Sequence, residues 1–156
     1  GDYFEIARKQ PWFSNTLFVI VADHSHSTYK NWPVNSKEYR RIPLLFYGDA
    51  IKDEYQGVKI NRIGSQTDIA TTLLSQLDLN AKDFVWSRNL FNPTTNAFAY
   101  YEATDGVGWI TPNGYFVYRK TTDNYPEIQT EPQLRDSVIM DGKSYLQEVF
   151  RQFIEY

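Results

Sequence analysis

Both histidines of the chain lie within three residues of one aspartate. His24 directly follows Asp23, and His26 is two residues further on. A carboxylate oxygen and an imidazole nitrogen together suit zinc or manganese better than calcium. From these residues alone, the Asp23–His24 pair has two open interpretations, namely metal binding and ordinary surface hydrogen bonding. His26 is either a solvated loop residue or a contact to phosphate or substrate.

A buried strand is predicted immediately before this pair. Residues 16–22 form a nearly unbroken apolar run that is too short for a membrane helix, and this is typical of a strand buried on both faces. Because ligands collect at the carboxyl ends of strands in open α/β sheets, Asp23 and His24 could both turn toward one ion there. Residues 42–48 predict a second short buried strand, and residues 58–60 are a weaker strand candidate.

Helical patterns alternate with these strands. Residues 3–13 predict a helix that ends in the proline region, and residues 23–41 predict a long loop. A second helix begins at Ser65, with Asp68 at the third position of a capping pattern, and ends near residues 78–80. Its apolar stripe consists of Ile69, Leu73, Leu74 and Leu77. The alternation predicts an α/β fold with a mainly parallel sheet.

The remaining sequence changes character. Residues 97–102, 108–111 and 115–119 read as three β-segments, and turn residues at 105–106 and 112–114 connect them. We therefore predict an antiparallel β-meander beside the parallel sheet. A closing helix follows, with an amphipathic stripe made of Leu146, Val149, Phe150 and Phe153.

Composition excludes several classes of function. The net charge is −3 with no basic block, so nothing predicts nucleic-acid binding, and the absence of cysteine excludes thiolate chemistry. Aromatic residues make up 17% of the chain, which favours core and cross-strand pairs over a carbohydrate- or lipid-facing surface. No signal peptide or membrane span is visible, and the chain begins without an initiator Met. We expect a piece of a longer protein.

Three segments resemble, in order and spacing, motifs of the alkaline phosphatase superfamily, which includes the sulfatases. Residues 15–24 are similar to its strand-to-metal motif, residues 41–48 to the strand that follows, and residues 65–74 to the next helix start. The resemblance covers roughly residues 3–80. The aromatic hairpins are a looser match to the C-terminal β-segments of the lipoteichoic acid synthase branch.

This resemblance implies a three-layer α/β/α sandwich. By carry-over, Asp23 and His24 are ligands of one divalent metal, Mn or Zn. The nucleophile and a further acidic ligand would lie upstream, so no catalytic nucleophile is expected within the chain. Residues 1–156 would then be the C-terminal portion of a sulfatase-like catalytic domain, inactive alone, whose partner is the upstream half of the same polypeptide.

Gln66 departs from the pattern, since many superfamily members have histidine there. A glutamine resembles the single-metal lipoteichoic acid synthases, and Gln66 is either substrate-facing or structural. The resemblance thus implies a phosphoglycerol- or phosphoethanolamine-type transferase acting on phosphate esters, including lipid-linked ones. The parent would be extracytoplasmic and anchored by upstream helices. The alternatives are a sulfatase or phosphodiesterase, and a non-catalytic degenerate domain.

Overall fold

The computed structural model describes residues 1–26 and 30–156, which form two compact units. The N-terminal unit comprises residues 1–32 and 38–61, and the C-terminal unit comprises residues 33–37 and 62–156. Helices and sheets are both present, which agrees with the predicted α/β class at a coarse level. The first half of the chain contains α1 (Asp2–Ala7), β1 (Phe18–Val21), α2 (Lys37–Arg40), β2 (Leu44–Tyr47) and α3 (Asp68–Gln76).

The second half contains four strands and one long helix. These elements are β3 (Ala99–Ala103), β4 (Gly106–Thr111), β5 (Gly114–Arg119), β6 (Asn124–Thr130) and α4 (Arg135–Glu155). Short 3₁₀ helices cover Phe13–Asn15, Asp53–Tyr55 and Pro132–Leu134. None of the helices in the described ranges is long and apolar enough to cross a membrane.

The two predicted N-terminal strands form, but they pair in the opposite sense to the prediction. β1 and β2 are antiparallel, with Phe18 opposite Tyr47 and Val21 opposite Leu44. The four-stranded sheet is antiparallel as well, so the prediction of a mainly parallel sheet is wrong for the strands described here. The physical reason is that an apolar run predicts where a strand lies but does not specify its neighbour or their relative direction.

Burial of β1 also differs from the prediction. Ile20 and its cross-strand partner Leu45 are 41% and 52% exposed. A strand becomes buried on both faces only when other elements cover both faces of its sheet. The described two-stranded sheet leaves these side chains accessible, so complete burial of β1 was a wrong prediction for this chain.

The predicted meander and closing helix are confirmed. β3, β4, β5 and β6 follow one another in spatial order, with turns at the predicted glycines. β6 was not predicted from the sequence, and its Pro126 lacks the backbone N–H that an interior strand must donate. β6 lies at the edge of the sheet, where proline is tolerated, and its pairing with β5 shifts register between Val117 and Arg119.

The C-terminal unit has a core between its sheet and α4. Trp109, Phe116 and Val138 form the buried cluster, and aromatic residues pack around it. The Phe98 and Trp109 rings stack with centroids 4.5 Å apart. In the predicted apolar stripe of α4, Phe150 and Phe153 are 45% and 79% exposed. The fully buried residues of the helix, Val138 and Gly142, both lie in its first half.

Four further predictions differ in detail. α1 ends at Ala7, before the proline region, and residues 58–60 form no strand. The expected loop over residues 23–41 contains the short α2, while residues 27–29 lie outside the described part.

α3 begins at Asp68, and Ser65 does not cap it with its hydroxyl. The Asp68 carboxylate instead accepts the Ser65 backbone N–H at 2.8 Å, which is the return bond of a capping box.

Candidate functional site

Asp23 and His24 lie together just beyond the carboxyl end of β1. Their side chains are 87% and 69% exposed, so both can reach a ligand from solvent. β1 is rich in β-branched and aromatic residues and pairs with β2 over its whole length. This pairing fixes the point at which the chain leaves the sheet, and the Asp–His pair occupies that point.

Local hydrogen bonds orient both side chains. The His24 backbone N–H donates to Asp23 Oδ1 at 2.8 Å. His24 Nδ1 lies 2.7 Å from the Ser25 carbonyl oxygen. When Nδ1 carries the ring proton it donates to that carbonyl, and Nε2 keeps its lone pair. Histidines that bind metals are usually oriented by such a bond from their other nitrogen.

The distance between Asp23 Oδ2 and His24 Nε2 suits the binding of one metal ion. His24 Nε2 and Asp23 Oδ2 are 3.6 Å apart. Two ligand atoms at ordinary zinc distances and a tetrahedral angle would be about 3.4 Å apart. The pair therefore fits two corners of a metal site. The same separation also allows a weak ion pair when the histidine is protonated.

Ser25 connects the pair to another segment of the N-terminal unit. Its hydroxyl donates a hydrogen bond to the carbonyl oxygen of Tyr39, in α2. Because Ser25 also supplies the carbonyl that faces His24 Nδ1, this bond limits the movement of the group that orients the imidazole. Sequence analysis gave no role to Ser25, and residue types alone offer no signal for such a contact across fourteen positions.

The remaining predicted site residues are distributed differently. His26 is exposed on the same loop as the pair, and no group of three or more metal-binding side chains forms among residues 1–26 and 30–156. Gln66 is exposed and belongs to the C-terminal unit, at the start of α3. The structure thus brings Asp23 and His24 together and does not add a third ligand to them within its described ranges.

A buried ion pair fixes the backbone next to Gln66. Asp68 is fully buried, and its carboxylate accepts four hydrogen bonds. Arg88 donates three of them, from its backbone N–H, Nε and Nη2 at 2.9, 3.0 and 2.5 Å, and Ser65 donates the fourth. The guanidinium also lies 3.4 Å from the Phe98 ring centroid. The loop that presents Gln66 is therefore anchored on its C-terminal side.

Sequence analysis missed Arg88 in this arrangement. Asp68 was identified only as part of a local cap, because its partner lies twenty residues further along the chain. An arginine in a polar stretch gives no local periodic signal. The nearby motif residues predict the helix, and the tertiary contact becomes visible only in the structure.

No protein-family model matches the chain, and no solved structure matches it.

Proposed function

We propose that the chain is the C-terminal portion of a metal-dependent phosphoglycerol- or phosphoethanolamine-type transferase of the sulfatase-like superfamily, with the three-layer fold of that group. The observation that carries the proposal is the pairing of His24 Nε2 and Asp23 Oδ2 at 3.6 Å, with Nδ1 held by a backbone carbonyl. The order and spacing of the three sequence segments support the same assignment.

In this proposal, Asp23 and His24 hold one Mn²⁺ or Zn²⁺ together with ligands from upstream sequence. Such an ion supplies Lewis acidity toward phosphoryl oxygens and lowers the pKa of a nucleophile. The contribution of this chain is to place one oxygen and one nitrogen at the carboxyl end of β1. Ser25 positions the imidazole through its carbonyl.

Metal content is the direct test. We expect the parent protein to contain about one equivalent of Mn or Zn, and the variants Asp23→Ala and His24→Ala to bind it at least about tenfold more weakly. Asp49→Ala is the matched control, because it removes an exposed carboxylate from the same unit. Elemental analysis and metal titration provide the measurement. Unchanged metal affinity in both site variants would refute the ligand assignment.

Turnover assays separate the transferase from its alternatives. The parent protein is offered a phosphodiester with a hydroxyl acceptor, a phosphomonoester and a sulfate ester in parallel. We expect transfer from the phosphodiester, with loss of activity in Asp23→Ala. Hydrolysis of the sulfate ester alone would identify a sulfatase on the same scaffold, and metal binding without any turnover would identify a non-catalytic domain. Either result overturns the transferase proposal.

A further inference from the structure

The N-terminal unit contains a groove beside the carboxyl end of β2, with a volume of about 700 Å³. Arg8 and Tyr47 lie on one part of its lining, and Leu45, Tyr55 and Val58 form what we call the apolar rim. Because Tyr47 pairs with Phe18, the groove lies at the end of the two-stranded sheet opposite to Asp23 and His24. It is therefore separate from the proposed metal site.

The Arg8 guanidinium in this groove is held by the hydroxyl of Tyr47. Arg8 Nε donates to Tyr47 Oη at 2.7 Å, and Nη2 donates to the same oxygen. None of the ion pairs among the described residues includes Arg8, so no carboxylate neutralises its charge. A guanidinium has five N–H donors, so three are left over, and the Tyr47 hydroxyl keeps its own proton to donate. The two side chains thus present several donors and a positive charge.

These donors match an oxyanion. Arginine binds carboxylate and phosphate through paired N–H groups, and bonds between ionised partners are stronger than neutral ones. The tyrosine contact fixes the orientation of the guanidinium before a ligand arrives, which lowers the entropy lost on binding. Asp49 also lines the groove, and its carboxylate opposes the binding of a free inorganic anion. Additional affinity must come from elsewhere in the groove.

The apolar rim provides the additional binding affinity. Leu45, Tyr55 and Val58 are 52%, 56% and 54% exposed, so each has apolar surface that a ligand can cover. Small-molecule sites commonly combine such surface with a few convergent polar groups. We propose that this groove binds a small organic anion, whose phosphate or carboxylate contacts Arg8 and Tyr47 and whose short apolar part covers the apolar rim.

Titration of the whole chain with hexyl phosphate, inorganic phosphate and hexanol tests the proposal. Binding is followed by NMR shifts of backbone amides in residues 45–58. We expect hexyl phosphate to bind at least about tenfold more tightly than inorganic phosphate or hexanol, since only hexyl phosphate uses both parts of the groove. The same titration with hexanoate shows whether phosphate or carboxylate is preferred.

Variants locate the binding. Arg8→Gln should weaken hexyl phosphate binding about tenfold or more, whereas Lys9→Gln, which removes the same charge from the neighbouring residue, should leave it unchanged. Asp49→Asn should tighten it. If Arg8→Gln lowers the thermal stability, Tyr47→Phe removes only the phenol oxygen and should still weaken binding severalfold. Equal effects of Arg8→Gln and Lys9→Gln, or equal affinities for hexyl phosphate and hexanol, would overturn the proposal.

Discussion

A buried carboxylate organises the backbone at the start of α3. Asp68 is fully buried and accepts hydrogen bonds from Arg88 and from the Ser65 backbone. Arg88 in turn donates to the carbonyl oxygens of Asn96 and Phe98. One ion pair thereby joins the start of α3 to the segment that leads into β3.

Removing one partner of this pair should be costly. Asp68→Ala leaves a guanidinium that is only 18% exposed without its carboxylate, so we expect the free energy of unfolding to fall by about 3 to 5 kcal/mol. Urea unfolding followed by circular dichroism measures the change. Asp83→Ala, which removes an exposed carboxylate from the same unit, should alter stability by less than about 0.5 kcal/mol.

A double variant distinguishes lost pairing from lost packing. Asp68→Leu combined with Arg88→Met removes both charges together, so the destabilisation should be smaller than the sum of the two single effects. Additive losses would show that the two side chains stabilise the unit independently, contrary to the arrangement seen here.

At the scale of elements, α4 approaches its sheet through a glycine. A Cβ atom on Gly142 would lie 2.5 Å from Phe116 Cζ and 2.8 Å from Trp109 Cγ. Both aromatic rings belong to the buried core and cannot move without disturbing it. The glycine thus sets how closely the helix packs, although it lowers the intrinsic helix propensity of α4.

Gly142→Ala should therefore destabilise the chain. The gain in helix propensity is about 1 kcal/mol, whereas overpacking a core costs about 1 to 3 kcal/mol, so we expect a net loss of up to about 2 kcal/mol. Ser144→Ala on the exposed side of the same helix should be neutral or slightly stabilising. Urea unfolding measures the change in the free energy of unfolding for both variants. A more stable Gly142→Ala variant would contradict the packing described here.

The end of α4 carries a pH-sensitive cluster. Arg151 donates to both oxygens of Glu148 and, together with Gln152, lowers the pKa of that carboxyl from 4.5 to about 2. A lowered pKa means that the carboxylate contributes stability above about pH 4.5 and loses this contribution as the pH falls toward 2. The group is exposed, so salt screens the effect and the contribution is small.

Carboxyl ¹³C NMR provides the test. The Glu148 signal should titrate near pH 2 in the unmodified chain, and Arg151→Gln should return its midpoint toward 4.5. Lys143→Gln removes a positive charge elsewhere on the same helix and should leave the midpoint in place. A Glu148 midpoint that does not respond to Arg151→Gln would show that the salt bridge is absent in solution.

Secondary structure was more predictable than pairing at this scale. The glycines in the turns predicted the β3–β4 and β4–β5 hairpins. In the structure, Gly106 and Gly114 both have positive φ angles, which suit a residue without a Cβ. The direction of β1 against β2 was not predictable, because both runs are apolar throughout and specify no partner. The Asp23–His24 pair was visible from residue type and position, whereas Ser25 and Arg88 act through distant residues.

At the scale of the whole molecule, the two units differ in how much apolar surface they bury. Within the described residues, the N-terminal unit buries two apolar side chains nearly completely, Ala7 and Phe13. The C-terminal unit buries Ala103, Val107, Trp109, Phe116, Val117 and Val138. Aromatic contacts link β1 and β2 to α1, as between Phe4 and Tyr47 at 4.9 Å, but their outer apolar side chains stay accessible.

Local stability should follow this difference, because opening a segment exposes the apolar surface that it buries. We expect the amides of β4 and β5 to exchange with deuterium at least about tenfold more slowly than those of β1 and β2, when corrected for intrinsic rates. Hydrogen exchange with mass spectrometry measures this at low protein concentration, where association through the exposed edges of β1 and β2 is least. Addition of Mn²⁺ to this chain should leave the exchange of β4 and β5 slower than that of β1 and β2, because two ligands hold an ion weakly. Equal protection of both sheets would mean that the strands near Asp23 and His24 are covered in solution by contacts absent from the described structure.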